Sequence, residues 1–133
     1  MTEVIDKLAW LHLVEGRILC ARSRGKAAYY IPGGKRERGE SDEAALCREI
    51  REELRVTLLP ETLQLVGRFE AQADGKAAGG VVRMTCYTAD FAGEIAPDRE
   101  IGEVAWLRYA DRAQGSPVVR DIFDWLHQRG LLR

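Results

Sequence analysis

The sequence predicts a single domain of the α/β or α+β class, a sandwich of a mixed β-sheet and flanking helices. Its 133 residues suffice for one core, and a domain of this length buries roughly two thirds of the surface that its unfolded chain exposes. The predicted elements follow the order strands, helix, strands, helix, which is typical of such sandwiches. Repeats, low-complexity tracts and interdomain linkers are not evident, so residues 1–133 are assigned to one domain.

Apolar runs between turn residues predict the strands. The runs LAWLHLV and RILCA flank Glu15 and Gly16, a pattern typical of a β-hairpin. Further strands are predicted from short apolar segments bounded by turn signals, over residues 29–31, 63–71, 81–91 and 104–107. The loop DGKAAGG joins the second and third of these segments.

Two segments have the features of helices. The first is predicted to run from Asp42 to Leu54, with Ser41 or Glu40 at its N-cap and acidic residues in its first turn. One face of this helix carries an apolar stripe that we expect to pack on the sheet, formed by Leu46, Cys47, Ile50 and Leu54. The second helix is predicted over residues 117–129.

Net charge and cysteine number limit the expected partners and compartment. Lysine and arginine total 20 against 21 acidic residues, a formal net charge of −1, so no overall field attracts a nucleic acid polymer or an anionic membrane. The three cysteines have no metal-type spacing, and their odd number favours a reducing cytoplasm over a disulfide framework. The segment MTEVIDKLAW lacks the pattern of a secretory signal, and no apolar run approaches membrane-spanning length. We therefore expect a soluble cytoplasmic protein.

Three glutamates of the first helix form the strongest chemical signal. Glu49, Glu52 and Glu53 are three and four positions apart, so they lie within an arc of roughly 100° and repel one another unless a cation intervenes. Mg²⁺ and Mn²⁺ prefer oxygen ligands in near-octahedral geometry, and Mg²⁺ often shares its shell with a substrate phosphate. The spacing predicts a divalent-cation site. A solvated surface helix with Glu–Arg pairs explains the same charges, but it does not explain the glycine loop before them.

Residues 33–56, GGKRERGESDEAALCREIREELRV, resemble the Nudix box. That pattern is Gly, five residues, Glu, seven residues, Arg-Glu, a hydrophobic residue, any residue, Glu-Glu, any residue, Gly and a hydrophobic residue. Arg55 stands where the family has glycine. All the other specified positions match, namely Gly34, Glu40, Arg48, Glu49, Ile50, Glu52, Glu53 and Val56.

The resemblance implies both a fold and an activity. Nudix domains are α/β/α sandwiches in which the box forms a loop, helix and loop beside the substrate cleft. The implied reaction is hydrolysis of a pyrophosphate bond in a nucleoside diphosphate linked to another moiety, with Mg²⁺ or Mn²⁺. By resemblance, Glu52 and Glu53 bind the metal together with the Gly34 carbonyl, while Glu49 is the general base or a further ligand.

Arg48 and a downstream carboxylate complete the predicted machinery. Arg48 lies four residues before Glu52 and is expected to hold that carboxylate in one orientation, although an exposed ion pair of this kind is worth under about 1 kcal/mol. Glu49, Glu52 and Arg48 are thus the predicted catalytic residues. A further metal ligand often comes from a loop after the box, and here Glu100 is preferred over Glu103 because a loop residue reaches into a cleft more freely.

Cationic loops are expected to bind the substrate phosphates. The candidates are Arg22 and Arg24 before the box and Lys35 within it, although exposed charges in loops are also ordinary on any soluble protein. Arg55 requires a separate explanation, since glycine after a helix usually supplies a left-handed backbone. Either arginine adopts that conformation at a cost on the order of 1 kcal/mol, or the helix ends differently. Its side chain is expected to point away from the glutamates, leaving metal binding intact.

Two other functions are compatible with parts of the sequence. A Nudix-fold module that binds a nucleotide or protein partner without hydrolysis would be favoured by the loss of Glu49, Glu52 or Glu53, and none is lost. An α+β interaction domain unrelated to Nudix proteins would show no metal affinity. The sequence leaves the oligomeric state open between a monomer and a homodimer.

Overall fold

The computed structural model describes residues 3–72 and 80–133. Apart from Gly80, the predicted loop DGKAAGG lies outside these residues. The helices are α1 (Asp42–Leu54) and α2 (Pro117–Gln128). The strands are β1 (Val4–Trp10), β2 (Leu13–Val14), β3 (Arg17–Ser23), β4 (Gly33–Lys35), β5 (Thr57–Leu58), β6 (Gln64–Gln72), β7 (Val81–Thr88), β8 (Phe91–Ala92) and β9 (Ile101–Leu107).

The largest sheet is mixed, as the sequence predicts. Its strand order is β4-β1-β7-β6, with β1 and β7 parallel and the other two pairs antiparallel. A second, antiparallel sheet has the order β2-β3-β9, and β5 pairs with β8. Helix α1 packs against β1, β4 and β5, whereas α2 packs against β6 and β7.

Apolar clusters cover both faces of the mixed sheet. Along β1, Leu8 and Trp10 pack in one cluster with Leu46 and Ile50 of α1. Ala9, between them, belongs to a second cluster that includes residues of α2 and β3. Because successive side chains of a strand point to opposite faces, this division places the two helices on opposite sides of the sheet. The predicted α/β/α sandwich is confirmed.

Several strand predictions need correction. The tight hairpin joins only β2 and β3, through a two-residue turn in which Glu15 (φ 52°) and Gly16 (φ 78°) are left-handed. The first apolar run is divided between β1 and β2, because the chain changes sheets after Trp10. Residues 29–31 form isolated bridges, from Tyr30 to Ala21 and from Tyr29 to Gly115, rather than a strand. The segment predicted to end at residue 91 ends at Thr88, and Phe91–Ala92 pairs separately with β5.

The helices agree closely with their predictions. The Ser41 hydroxyl accepts a hydrogen bond from the Ala44 N–H at 3.1 Å, so Ser41 rather than Glu40 caps α1. The apolar stripe of α1 is buried except at Cys47, which is only partly covered. Helix α2 ends at Gln128, one residue before the predicted end. Within residues 3–72 and 80–133, neither helix has the length and apolar character needed to cross a membrane.

Candidate metal and substrate site

Two glycines bring the sheet edge close to helix α1. Strand β4 pairs with β1 so that Gly33 lies opposite Ala9 and Gly34 opposite Leu8. Gly33 adopts a φ of 147°, and a Cβ there would collide with the Leu8 carbonyl oxygen. A Cβ on Gly34 would lie 2.5 Å from Oε2 of Glu49. Position 33 therefore requires glycine, because its clash is with backbone, whereas a side chain at position 34 would displace the Glu49 carboxylate.

The close approach forms a cavity of about 270 Å³, which we call the carboxylate cavity. Its charged lining consists of three carboxylates and two ammonium groups, from Glu49, Glu53, Glu100, Lys7 and Lys35. The box helix supplies two of the carboxylates, and the loop before β9 supplies the third. The fold thus gathers acidic groups that lie far apart in the sequence.

Glu53 is the most deeply buried of these carboxylates. It is 4% exposed, and its Oε1 accepts a hydrogen bond from the Gly33 N–H at 3.1 Å. Burial raises the pKa of Glu53 to about 8, and the charges of Glu49 and Glu100 act in the same direction. Burial also raises the pKa of Glu49, against the effect of Arg48. The cavity therefore disfavours ionisation of its own carboxyl groups, an effect that a bound cation would oppose.

Arg48 is the centre of a second carboxylate group at the outer side of α1. Its Nε and Nη2 donate to the two oxygens of Glu40, at 2.7 and 2.8 Å. Its Nη1 donates to Oε1 of Glu49 at 3.0 Å and lies 3.6 Å from Oε2 of Glu52. The predicted pairing with Glu52 is present, but the contacts with Glu40 and Glu49 are shorter. Arg48 thus orients one carboxylate of the cavity while it neutralises its neighbours.

The structure does not place every predicted ligand in the cavity. The Glu52 side chain is 34% exposed and does not line the cavity, so its roles as ligand and catalytic residue stay predictions. Glu100 does line the cavity. Glu103 instead forms an ion pair with Arg22 and accepts a hydrogen bond from the Tyr29 hydroxyl at 3.0 Å. This placement supports the preference for Glu100.

The predicted phosphate-binding residues also differ in whether they line the cavity. Lys35 lines the cavity. Arg22 is paired with Glu103, and Arg24 donates from Nη1 to the Arg99 carbonyl at 3.0 Å. Neither arginine lines the cavity, and their binding to substrate stays a prediction. Lys7 was not among the predicted site residues, because the sequence shows it only as a single charged residue at the start of an apolar run.

The donor set fits a hard divalent cation. Carboxylate oxygens from Glu49, Glu53 and Glu100, with the backbone of Gly34 beside them, are the ligands that Mg²⁺ and Mn²⁺ prefer. As the side chains stand in residues 3–72 and 80–133, no three His, Cys, Asp or Glu groups converge closely enough to hold an ion. In this arrangement Arg48 donates a hydrogen bond to Glu49, and the Gly33 N–H donates one to Glu53. Ion binding therefore requires these carboxylates to reorient.

Comparison with known families agrees with the fold and the box. The family model of the NUDIX domain matches residues 8–126. The chain therefore belongs to the NUDIX domain family, and the prediction of a Nudix hydrolase is confirmed. Comparison with curated proteins gives no match.

Solved structures of similar fold come from several organisms. The MutT NUDIX hydrolase from Burkholderia pseudomallei is 25% identical, with a TM-score of 0.75 over 92% of this chain and 97% of that one. The MutT protein from Methanosarcina mazei Go1 is 18% identical, with a TM-score of 0.76 over 97% and 96%. A bifunctional NMN adenylyltransferase/ADP ribose pyrophosphatase from Francisella tularensis is 18% identical, with a TM-score of 0.69, and 97% of this chain covers 42% of it.

Proposed function

We propose that this Nudix hydrolase is a Mg²⁺- or Mn²⁺-dependent enzyme that cleaves the pyrophosphate bond of a nucleoside diphosphate linked to another moiety. The observation that carries the proposal is the carboxylate cavity, whose lining includes Glu49, Glu53 and Glu100 together with Gly34. Two lysines in the same lining offer positive charge to an anionic substrate. The intact glutamates of the box favour catalysis over a binding module that hydrolyses nothing.

Each residue of the site has its own role in the proposed reaction. A bound Mg²⁺ or Mn²⁺ supplies charge neutralisation for the diphosphate and lowers the pKa of a coordinated water. Glu52 and Glu53 would hold the ion with the Gly34 carbonyl, and Glu100 would be a further ligand. Glu49 is proposed as the general base, since burial raises its pKa and so increases its affinity for a proton. Arg48 would hold Glu49 in one orientation through its hydrogen bond at 3.0 Å.

Ligands of the similar structures support the class of substrate. The Francisella tularensis protein was solved in complex with AMP and a manganese ion. We extend to this chain only the class of ligand, a small nucleotide derivative with a divalent metal. The formal net charge of −1 favours such a small molecule over a nucleic acid polymer. The three free cysteines suit the reducing cytoplasm proposed as its location.

A substrate screen tests this proposal. Product formation with Mg²⁺ or Mn²⁺ is measured across nucleoside triphosphates, nucleotide sugars, dinucleoside polyphosphates and ADP-ribose. We expect at least one substrate whose turnover is lost in Glu53→Gln and kept in Glu61→Gln, a control at an exposed glutamate. Nucleotide binding without turnover across the panel would favour the binding module. Turnover that survives Glu53→Gln would reject the assigned role of Glu53.

A further inference from the structure

Lys7 occupies an unusual place for a lysine, at the middle of a central strand. It pairs with Lys35 of β4 on one side and with Met84 of β7 on the other. Leu8 points toward the cluster of α1, so Lys7 lies on the opposite face, which it shares with Ala9. A position of this kind in a central strand normally holds an apolar residue.

Lys7 also lines two neighbouring cavities. Together with Tyr30 and Met84, it lines both the carboxylate cavity and an adjoining cavity of about 190 Å³, which we call the second cavity. The second cavity lies between β1, β7 and the beginning of α2, and its lining is mostly apolar, with Val82 and Val118 among its residues. Lys7 therefore belongs to the lining of both an acidic and a mostly apolar cavity.

The charge of Lys7 has no direct partner in the part of the chain that the structure describes. Burial and the charge of Lys35 lower the pKa of Lys7, against the opposite effect of Glu53 and Glu49. No hydrogen bond or ion pair joins Lys7 to either glutamate within residues 3–72 and 80–133. A half-buried ammonium without a partner is costly, since burial removes water from the charge. A lysine retained only to balance the glutamates would be expected to contact one of them.

We propose that Lys7 is a substrate-binding residue whose ammonium contacts a phosphate oxygen of the diphosphate at the boundary between the two cavities. The inference rests on the proposed function, because it requires a diphosphate in the carboxylate cavity. The three rotatable donors of an ammonium suit a phosphate oxygen whose exact position varies with the substrate. Because β1 is paired on both sides, the backbone position of Lys7 is fixed. Lys7 therefore positions the diphosphate relative to Glu49 and Glu53.

Calorimetry with inorganic pyrophosphate tests the role of Lys7. The full-length protein, saturated with Mn²⁺, is titrated as wild type, Lys7→Met, Lys7→Arg and the charge-matched control Lys26→Met, which alters an exposed turn lysine. A charged hydrogen bond of this kind predicts that pyrophosphate binds Lys7→Met about ten- to hundredfold more weakly. Lys7→Arg should recover most of this loss, and Lys26→Met should bind as the wild type does. With a nucleotide substrate, KM should rise more than kcat falls.

Separate titration of Mn²⁺ alone distinguishes phosphate binding from simple charge balance. A lysine that only balances the glutamates would change Mn²⁺ affinity on Lys7→Met and leave pyrophosphate affinity unaltered, which would overturn the proposal. Lys7→Gln replaces Lys7→Met if the latter fails to fold, and wild-type pyrophosphate affinity in that variant would also overturn it. If the wild type binds no pyrophosphate, the proposed function and this inference fail together. If the wild type binds pyrophosphate and Lys7→Met binds it equally well, only the inference fails.

Discussion

Two groups of carboxylates beside α1 are held in opposite ways. On the outer side, Glu40 accepts two hydrogen bonds from Arg48, and these hold the pKa of Glu40 down at about 2. On the inner side, Glu53 is 4% exposed and accepts one backbone N–H, and burial raises its pKa to about 8. The carboxylate of Glu40 is thus neutralised by a cationic partner, whereas that of Glu53 is removed from water without one.

The difference separates a structural network from a site that needs a ligand. The outer group is complete, because the guanidinium of Arg48 matches the carboxylate of Glu40 with a bidentate contact. In the inner group, Glu53 faces a cavity that Lys7 and Lys35 also line, but within residues 3–72 and 80–133 neither lysine forms an ion pair with it. Buried carboxylates with raised pKa values are typical of functional sites. A divalent cation would neutralise the inner carboxylates, as Arg48 neutralises Glu40 in the outer group.

The largest expected effect comes from comparing the loss of one carboxylate in the inner group with the loss of one in the outer group. Glu53→Gln should lower kcat more than about a hundredfold, since even groups that only support metal ligands typically cost 10–100-fold. Above about pH 8, where Glu53 ionises, the same change should raise the melting temperature of the metal-free protein, because it removes a buried charge. Glu40→Gln should do the reverse, lowering the melting temperature and affecting kcat less. Equal activity losses in the two variants would contradict the distinction.

Substitution of Arg48 should disturb both groups at once. Arg48→Lys places one ammonium where a planar guanidinium holds Glu40 and Glu49 together, so it cannot keep the bidentate contact. We expect kcat to fall about 10–100-fold, as for groups that orient a metal ligand, together with a lower melting temperature. Arg51→Lys, an exposed change on the same helix, serves as the control. Matching kinetics for the two variants would argue against an orienting role.

The pH dependence of stability should reveal the inner group in the absence of metal. The pKa of Glu53 rises from 4.5 to about 8 on folding, so between these values the folded state binds more protons than the unfolded state. The free energy of unfolding should therefore fall as the pH rises through this range. Melting scans in EDTA should show this decline in the wild type and a weaker one in Glu53→Gln. Parallel curves would count against the raised pKa.

The smallest expected effect concerns the end of α1. Arg55 caps the helix in a left-handed conformation, with φ 61° and ψ 22°, which is one of the two alternatives that its place in the box left open. Glycine should relieve strain of up to about 1 kcal/mol, partly offset by the greater freedom of glycine in the unfolded chain. Because Arg55 also donates to Asp98 at 3.0 Å, Arg55→Gly is best measured in an Asp98→Asn background. A slightly higher melting temperature with unchanged metal dependence is expected, and a lower one would contradict the strain.

The sequence could predict what local pattern controls. The bounds of α1 follow from Ser41 at the cap and the apolar spacing within the helix, and the approach of α1 to the box glycines follows from the motif. The box also predicted that Glu49 and Glu53 belong to one site, and the structure places both in the lining of one cavity.

The remaining features depend on long-range pairing. Helical spacing treats Glu52 and Glu53 as equivalent, but the sheet edge covers only Glu53. The choice between Glu100 and Glu103 depends on the pairing of β9 with β3, which places Glu103 opposite Arg22. Lys7 was missed because its importance comes from its neighbours Lys35 and Met84 on adjacent strands, and no local motif records them.

Calorimetric titration of Mn²⁺ into the metal-free protein tests most directly whether the inner carboxylates hold a divalent cation. We expect saturable binding to the wild type, at least about tenfold weaker binding to Glu53→Gln, and wild-type binding to Glu61→Gln. It would be contradicted if the wild type bound no Mn²⁺ even with pyrophosphate present, or if Glu53→Gln bound the ion as tightly as the wild type does.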